Sequence, residues 1–119
     1  MYDHIGLKVR DLDASVRFYQ AALEPLGHVL CSRDEAGAGF GPPGAAALWL
    51  YRDTNAAGGA HVALRAGARA AVDRFHAAGL ATGARDHGAP GLRTDYAPNY
   101  YAAFLLDPDG HNVEAVCMA

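Results

Sequence analysis

The strongest constraint in this sequence is an internal repeat. The segment His4-Ile-Gly-Leu-Lys-Val is echoed by His61-Val-Ala-Leu-Arg-Ala, and at that same offset Arg17 meets Arg74, Phe18 meets Phe75, Ala21 meets Ala78 and Leu23 meets Leu80. No gap is needed. In a chain of 119 residues this leaves room for two units, each of about 60 residues and well beyond the 20–45 of a solenoid repeat. A unit that small has little core of its own. Each is therefore expected to be a small α+β module that leans on its copy.

The modules read alike. Tyr2 to Val9 alternates, with Ile5, Leu7 and Val9 on one face. Asp11 or Asp13 can cap a helix, along which Val16, Tyr19, Leu23 and Leu26 recur at helical spacing. Pro25 and Gly27 end it. Val29 to Ser32, a stretch around Phe40, and Ala45 to Tyr51 are strand candidates, with a glycine-rich hairpin over Gly37 to Gly44. Asn55 to Gly59 reads as a linker. The second module opens with a strand over Ala60 to Ala66, then a helix over Ala68 to Ala78 that Gly79 stops. Tyr100 to Leu106 and Asn112 to Cys117 are strands, joined by the turn Asp107-Pro108-Asp109-Gly110. Asp86 to Asn99 shows little regular pattern and reads as a functional loop. The expected organisation is one domain over 1–119, with module one at about 1–54, a linker at 55–59 and module two at about 60–119.

Composition removes several function classes. Hydrophobic types make up 51% and charged types 19%, enough for a packed core and against disorder. The net charge is −3 and the basic residues are scattered, which argues against nucleic acid as a partner. No apolar run is long enough to span a membrane and no signal peptide is visible. Two cysteines, Cys31 and Cys117, cannot build a disulfide framework or a four-thiolate zinc site, and read as small buried hydrophobes. The cytoplasm is the expected compartment.

Strand parity carries the chemistry. If Ile5, Leu7 and Val9 pack on the first helix, His4 points to the opposite face. If Val62 and Leu64 pack on the second, His61 does the same. In the last strand Val113, Ala115 and Cys117 form the apolar set, so Glu114 falls on the other face with Asn112 and Val116. Were the modules to face each other, these three side chains would converge. Two imidazoles and a carboxylate suit a divalent ion such as zinc, iron, manganese or nickel, and three protein ligands leave positions open for substrate.

The segments His4-Ile-Gly-Leu-Lys-Val, Arg17-Phe18-Tyr19, His61-Val-Ala-Leu and Leu106-Asp-Pro-Asp-Gly-His-Asn-Val-Glu114 span the chain. In them the sequence resembles the vicinal oxygen chelate superfamily of glyoxalase I, extradiol dioxygenases, fosfomycin-resistance enzymes and bleomycin-binding proteins. The resemblance implies paired βαβββ modules whose curved mixed sheets form a cleft. It implies metal ligation by His4, His61 and Glu114; Glu114 is also the candidate catalytic residue. It implies an activity among lyases, isomerases, dioxygenases and thiol transferases on a small oxygenated molecule. The alternative it allows is a sequestering protein of the bleomycin-resistance type without catalysis. Small members of the superfamily form homodimers, some with facing modules from different chains, so a homodimer is expected.

One departure stands out. Glyoxalase I has a fourth ligand on the last strand of its first module, and here that position falls at Leu48 or Trp49. Extradiol enzymes have a tyrosine acid shortly before the final motif, where this chain has Phe104. Substrate-pocket candidates are Trp49, His87, Arg93, Tyr96, Tyr100, Tyr101 and Phe104, with Arg85 nearby. His111, in the turn, is expected to face solvent, and His28 and His76 are given structural roles.

Overall fold

The computed structural model describes all 119 residues. The first half runs β1 (Ile5–Val9), α1 (Leu12–Leu23), a 3-10 turn (Glu24–Leu26), β2 (Val29–Arg33), β3 (Gly37–Gly41) and β4 (Leu48–Arg52). The second runs β5 (His61–Arg65), α2 (Arg69–Ala81), β6 (Arg85–Leu92), β7 (Tyr101–Leu106) and β8 (Asn112–Cys117). Each half is a βαβββ unit with its own four-stranded mixed sheet, in the orders β1-β4-β3-β2 and β5-β8-β7-β6. The parallel pairs are β1 with β4 and β5 with β8.

Local sequence explains the elements. Asp11 caps α1, its Oδ1 accepting from Ala14 N at 3.0 Å. After Pro25 the chain reverses at Gly27, whose φ of 88° lies in the left-handed region. The helix faces of both sheets share one core, which includes Val9, Phe18, Tyr19, Phe40 and Leu50 from the first half and Val72, Phe75, Leu105, Val113 and Cys117 from the second. Phe18 and Phe75, partners in the repeat, are both buried there.

The halves meet through α1 and α2 rather than sheet to sheet. The faces of the sheets turned away from the helices are therefore left uncovered within one chain. The molecule is accordingly longer than it is wide, 42 × 28 × 27 Å.

A polar clamp seals this seam. Tyr19 of α1 donates its hydroxyl to Asp107 Oδ2 at 2.6 Å. Asp109 Oδ1 accepts from Arg10 N at 2.9 Å, and its other oxygen from Ser15 Oγ at 3.4 Å. Within the turn, Asp107 Oδ1 holds the backbone N–H groups of Asp109 and His111. The expected exposure of His111 is overturned. It is buried, with Nε2 donating to Lys8 O at 3.0 Å and Nδ1 accepting from Ala60 N at 3.1 Å. The turn is thus a plug between halves, and its residues are polar because they satisfy backbone groups there.

Two further expectations change. Part of the stretch read as a loop, 86–92, lies in β6, a strand paired with β7 and irregular because the register shifts around Gly88 and again before Gly91. Gly79 does not stop α2, which continues to Ala81. Its role is proximity. A Cβ there would stand 2.3 Å from Leu105 Cδ1 and 3.3 Å from Phe18 Cε1.

Two stability measurements follow. Tyr19→Phe leaves a buried oxygen of Asp107 without its donor and should cost about 1–3 kcal/mol near neutral pH in urea unfolding. Burial and the neighbouring Asp107 carboxylate push the Tyr19 phenol well above its ordinary 10.0. The unfolded phenol ionises first, so the stability it contributes is complete below pH 10.0 and is lost as pH rises beyond it. Tyr19→Phe should flatten part of that alkaline decline. Gly79→Ala should destabilise by about 1 kcal/mol, because overpacking of about 1–3 kcal/mol exceeds the helix-propensity gain of about 1. Leu105→Ala should remove that penalty in the double variant.

Candidate active site on the open sheet faces

In module two the chemistry gathers on the face of the sheet away from α2. Alternation along β5 buries Val62 and leaves His61 and Ala63 outward. Along β8 it sends Val113, Ala115 and Cys117 into the core, and Glu114 to the open side. His61 Nε2 donates to Glu114 Oε1 at 2.9 Å, and the Tyr100 hydroxyl donates to Glu114 Oε2. Glu114 is only 2% exposed, and each of its two oxygens has a hydrogen-bond donor. Burial first, then the hydrogen bond to Glu114, pushes the Tyr100 phenol up to about 12. That phenol stays protonated, and remains a donor, at any ordinary pH.

Aromatic surfaces frame the carboxylate. The Phe104 ring lies 6.4 Å from the His61 ring. Arg93 stacks its guanidinium over Phe104, 5.5 Å from the ring centroid. Tyr96 meets Tyr100 edge-on at 5.1 Å. Beside Tyr100 lies a shallow depression of about 270 Å³, lined by Ala63, Arg65, Val116 and Met118. Of the pocket candidates, Arg93, Tyr96, Tyr100 and Phe104 thus stand with Glu114. Tyr101 does not. One residue along β7 it faces the helix, donating to Asp73 Oδ1 at 2.6 Å under Arg69. His87 is exposed on β6, with no hydrogen bond to the cluster.

Module one carries the rest. His4, just ahead of β1, is half-exposed, with Nδ1 2.6 Å from Asp3 Oδ1. Asp3 had no signal in the sequence, since nothing there marks a lone carboxylate as the partner of its neighbour. Trp49 lies across Gly39, where a Cβ would meet its ring at 2.7 Å. Strand register settles which residue matches Glu114. Gly6 pairs with Trp49 and Ala63 pairs with Glu114, and Gly6 and Ala63 are repeat partners. Trp49 is therefore the counterpart of the carboxylate, and Leu48 is buried in the core.

His61 and Glu114 suit one divalent ion. Two donors about 2.1 Å from an ion at right angles stand about 3.0 Å apart, and Nε2 and Oε1 are 2.9 Å apart. The third donor does not join them within the chain. No group of three His, Cys, Asp or Glu side chains is placed to share an ion. The convergence of His4 with His61 and Glu114 required facing modules, and the helix-to-helix seam keeps the open faces apart. One chain thus places two ligand-type side chains at this spacing and no third beside them. No helix is long and apolar enough to cross a membrane.

The whole chain resembles solved structures. A glyoxalase/bleomycin resistance protein from Albidiferax ferrireducens T118 is 30% identical with a TM-score of 0.85, covering 98% of each chain. A lactoylglutathione lyase from Agrobacterium tumefaciens is 25% identical with a TM-score of 0.66, over 96% of this chain and 90% of that one. A glyoxalase/bleomycin resistance protein/dioxygenase family enzyme from Burkholderia phytofirmans PsJN, 18% identical with a TM-score of 0.75 over 98% of each chain, shares the fold. A search of curated proteins gives no match. The model of the glyoxalase-like domain matches residues 4–116. With nearly every residue inside that match, and with the paired βαβββ halves it requires, the chain belongs to the glyoxalase-like domain family of the vicinal oxygen chelate superfamily.

Proposed function

We propose that this protein is a metal-dependent enzyme of the glyoxalase/dioxygenase type, acting on a small oxygenated molecule at a centre completed between two copies of the chain. The observation that carries this reading is the His61–Glu114 pair, a buried carboxylate and an imidazole already at ligand spacing on an uncovered sheet face. Extending the alternation of β1 by one residue would put the exposed His4 side chain on the uncovered face of the other half. In a two-fold dimer whose module-one face meets the partner's module-two face, each contact occurs twice. Each of the two centres would then take His4 from one copy and His61 and Glu114 from the other.

A divalent ion there would supply Lewis-acid charge to a substrate oxygen. The protein supplies the remainder. Glu114, hydrogen-bonded through both oxygens on the open face, is the proton acceptor. Tyr100 holds Glu114 Oε2 and so fixes which oxygen faces the substrate. Phe104 and Arg93 give a flat wall with a cationic edge, suited to a planar or anionic oxygenated group.

One observation favours a second reading, a binding protein that sequesters a planar molecule without turning it over. The position matched to Glu114 carries Trp49, an aromatic platform seated on Gly39. Metal content separates the two. On the enzyme reading, purified untagged protein binds about one divalent ion per chain, and Glu114→Gln or His61→Ala removes most of it without unfolding the protein. Near-stoichiometric metal in the His4→Ala, His61→Ala double variant would refute the metal site.

Mixing supplies the test of the shared centre. His4→Ala and Glu114→Gln chains should each bind little metal alone. After subunit exchange, about one quarter of the sites should recover, because a heterodimer rebuilds one intact set. No recovery despite confirmed exchange would place the ligands within one chain or nowhere. Light scattering should give a dimer of twice the 12.5 kDa chain.

Substrate choice is a separate prediction. With Trp49 in place of a fourth ligand, methylglyoxal–glutathione hemithioacetal should be a poor substrate of the metal-loaded protein. Robust turnover that is lost in Glu114→Gln would contradict it.

A further inference from the structure

Just beyond β6 the chain folds a cation back over its own strand. Arg93 is held through its backbone, its N–H donating to Tyr100 O at 2.7 Å. Its side chain turns across the open face of module two, where Gly88 and Gly91 stand opposite Phe104 and Ala102 of β7. The guanidinium needs both glycines. A Cβ at Gly88 would stand 3.3 Å from its Nη2, and one at Gly91 would stand 3.1 Å from its Nη1. Nη2 also donates to Ala89 O, and the fork lies over the Phe104 ring.

A guanidinium placed this firmly has no counter-ion. Arg10 pairs with Asp109 and Arg33 with Asp13, but no carboxylate of the chain pairs with Arg93. Glu114, on the same face, has both oxygens taken by His61 and Tyr100. Apart from the bond to Ala89 O, the N–H groups of the Arg93 fork have no acceptor in the protein, and the side chain is only half-buried. Arg65, which alternation also turns outward on β5, is exposed. Holding a free side chain still costs entropy on binding, a cost that Arg93 has already met in folding.

A planar fork of N–H donors matches a carboxylate or a phosphoryl group. Charge chooses between them. One unpaired positive charge balances a carboxylate, whereas a phosphate monoester brings about two negative charges to a chain whose net charge is already −3. We infer that the substrate is a small carboxylate anion, with its carboxylate on Arg93 and its reacting oxygens toward His61 and Glu114. The Phe104 ring neighbours both ends, 5.5 Å from the guanidinium carbon and 6.4 Å from the His61 ring, so one small molecule can span them. The contact with His61 and Glu114 rests on the metal-dependent reading above; the carboxylate site on Arg93 does not.

The test uses the full-length, untagged protein as purified and after chelation, with benzoate and its neutral analogue benzamide as probes. In amide-resolved NMR titrations, benzoate should shift the Gly88, Gly91 and Arg93 amides and the Arg93 Nε–H. It should bind about tenfold more tightly than benzamide, the share of one charge-assisted hydrogen bond, and added salt should narrow the gap. Arg93→Gln should bring the two probes level. Arg93→Lys, which keeps the charge but not the fork, should retain part of the difference. Phenyl phosphate should bind no more tightly than benzoate. Equal affinities in the unaltered protein, no shifts at millimolar benzoate, an undiminished preference in Arg93→Gln, or tighter binding of phenyl phosphate would each overturn the proposal. A benzoate preference that survives chelation supports the site on Arg93 by itself, whereas a failure to take up metal counts against the centre at His61 and Glu114 alone.

Discussion

The hydrogen bond from Tyr19 to Asp107 is the contact on which the arrangement of the two halves depends. A module of this size cannot bury enough apolar surface alone, so the halves share one core. The turn between β7 and β8 closes that core from one end. It does so with carboxylates, which are costly to bury unless every oxygen finds a donor. Here each finds one in the other half or in the turn itself. A rotation of one half against the other would strip several donors at once. The relative placement of the halves is therefore set by polar geometry as well as by apolar area, which has no preferred direction.

That placement decides where chemistry can occur. Joining the halves through their helices uses up the helix faces and leaves the opposite faces of both sheets free. The ligand-type side chains sit on those free faces because side chains alternate along a strand, and the core has claimed every other position. The His61–Glu114 pair is thus on a surface that no part of the same chain covers. On the proposed reading, a centre built on that pair would belong to an assembly, and its formation would depend on protein concentration in a way that folding of the chain does not.

Much of this was legible in the sequence, for reasons tied to particular residues. The gapless offset between His4 and His61 announced two alike modules, and both helices begin at matching positions, Leu12 and Arg69. Parity put Glu114 on the face opposite Val113 and Ala115. What failed was long-range. His111 lies in a strong turn signal, and turns are usually exposed. Its burial depends on Lys8, a residue from the far end of the chain. Gly79 looked like a helix stop because its reason for being glycine, the approach of Leu105, lies on a different element. The strand over 85–92 was hidden by its own glycines and proline, which break alternation without preventing pairing. Tyr101 was grouped with its loop neighbours, when its parity within β7 already set it on the helix side.

The correspondence between Trp49 and Glu114 has a wider meaning. Because strand pairing is preserved between the halves, every position on one open face has an address on the other. The repeat acts as a coordinate system in which the two faces can be compared side chain by side chain. In that system the two faces differ in chemistry. One presents a buried acid and its donors, and the other a flat indole on a glycine floor. The repeated backbone keeps one geometry while carrying different side chains, so that two identical chains, laid face to face, would meet as unlike surfaces.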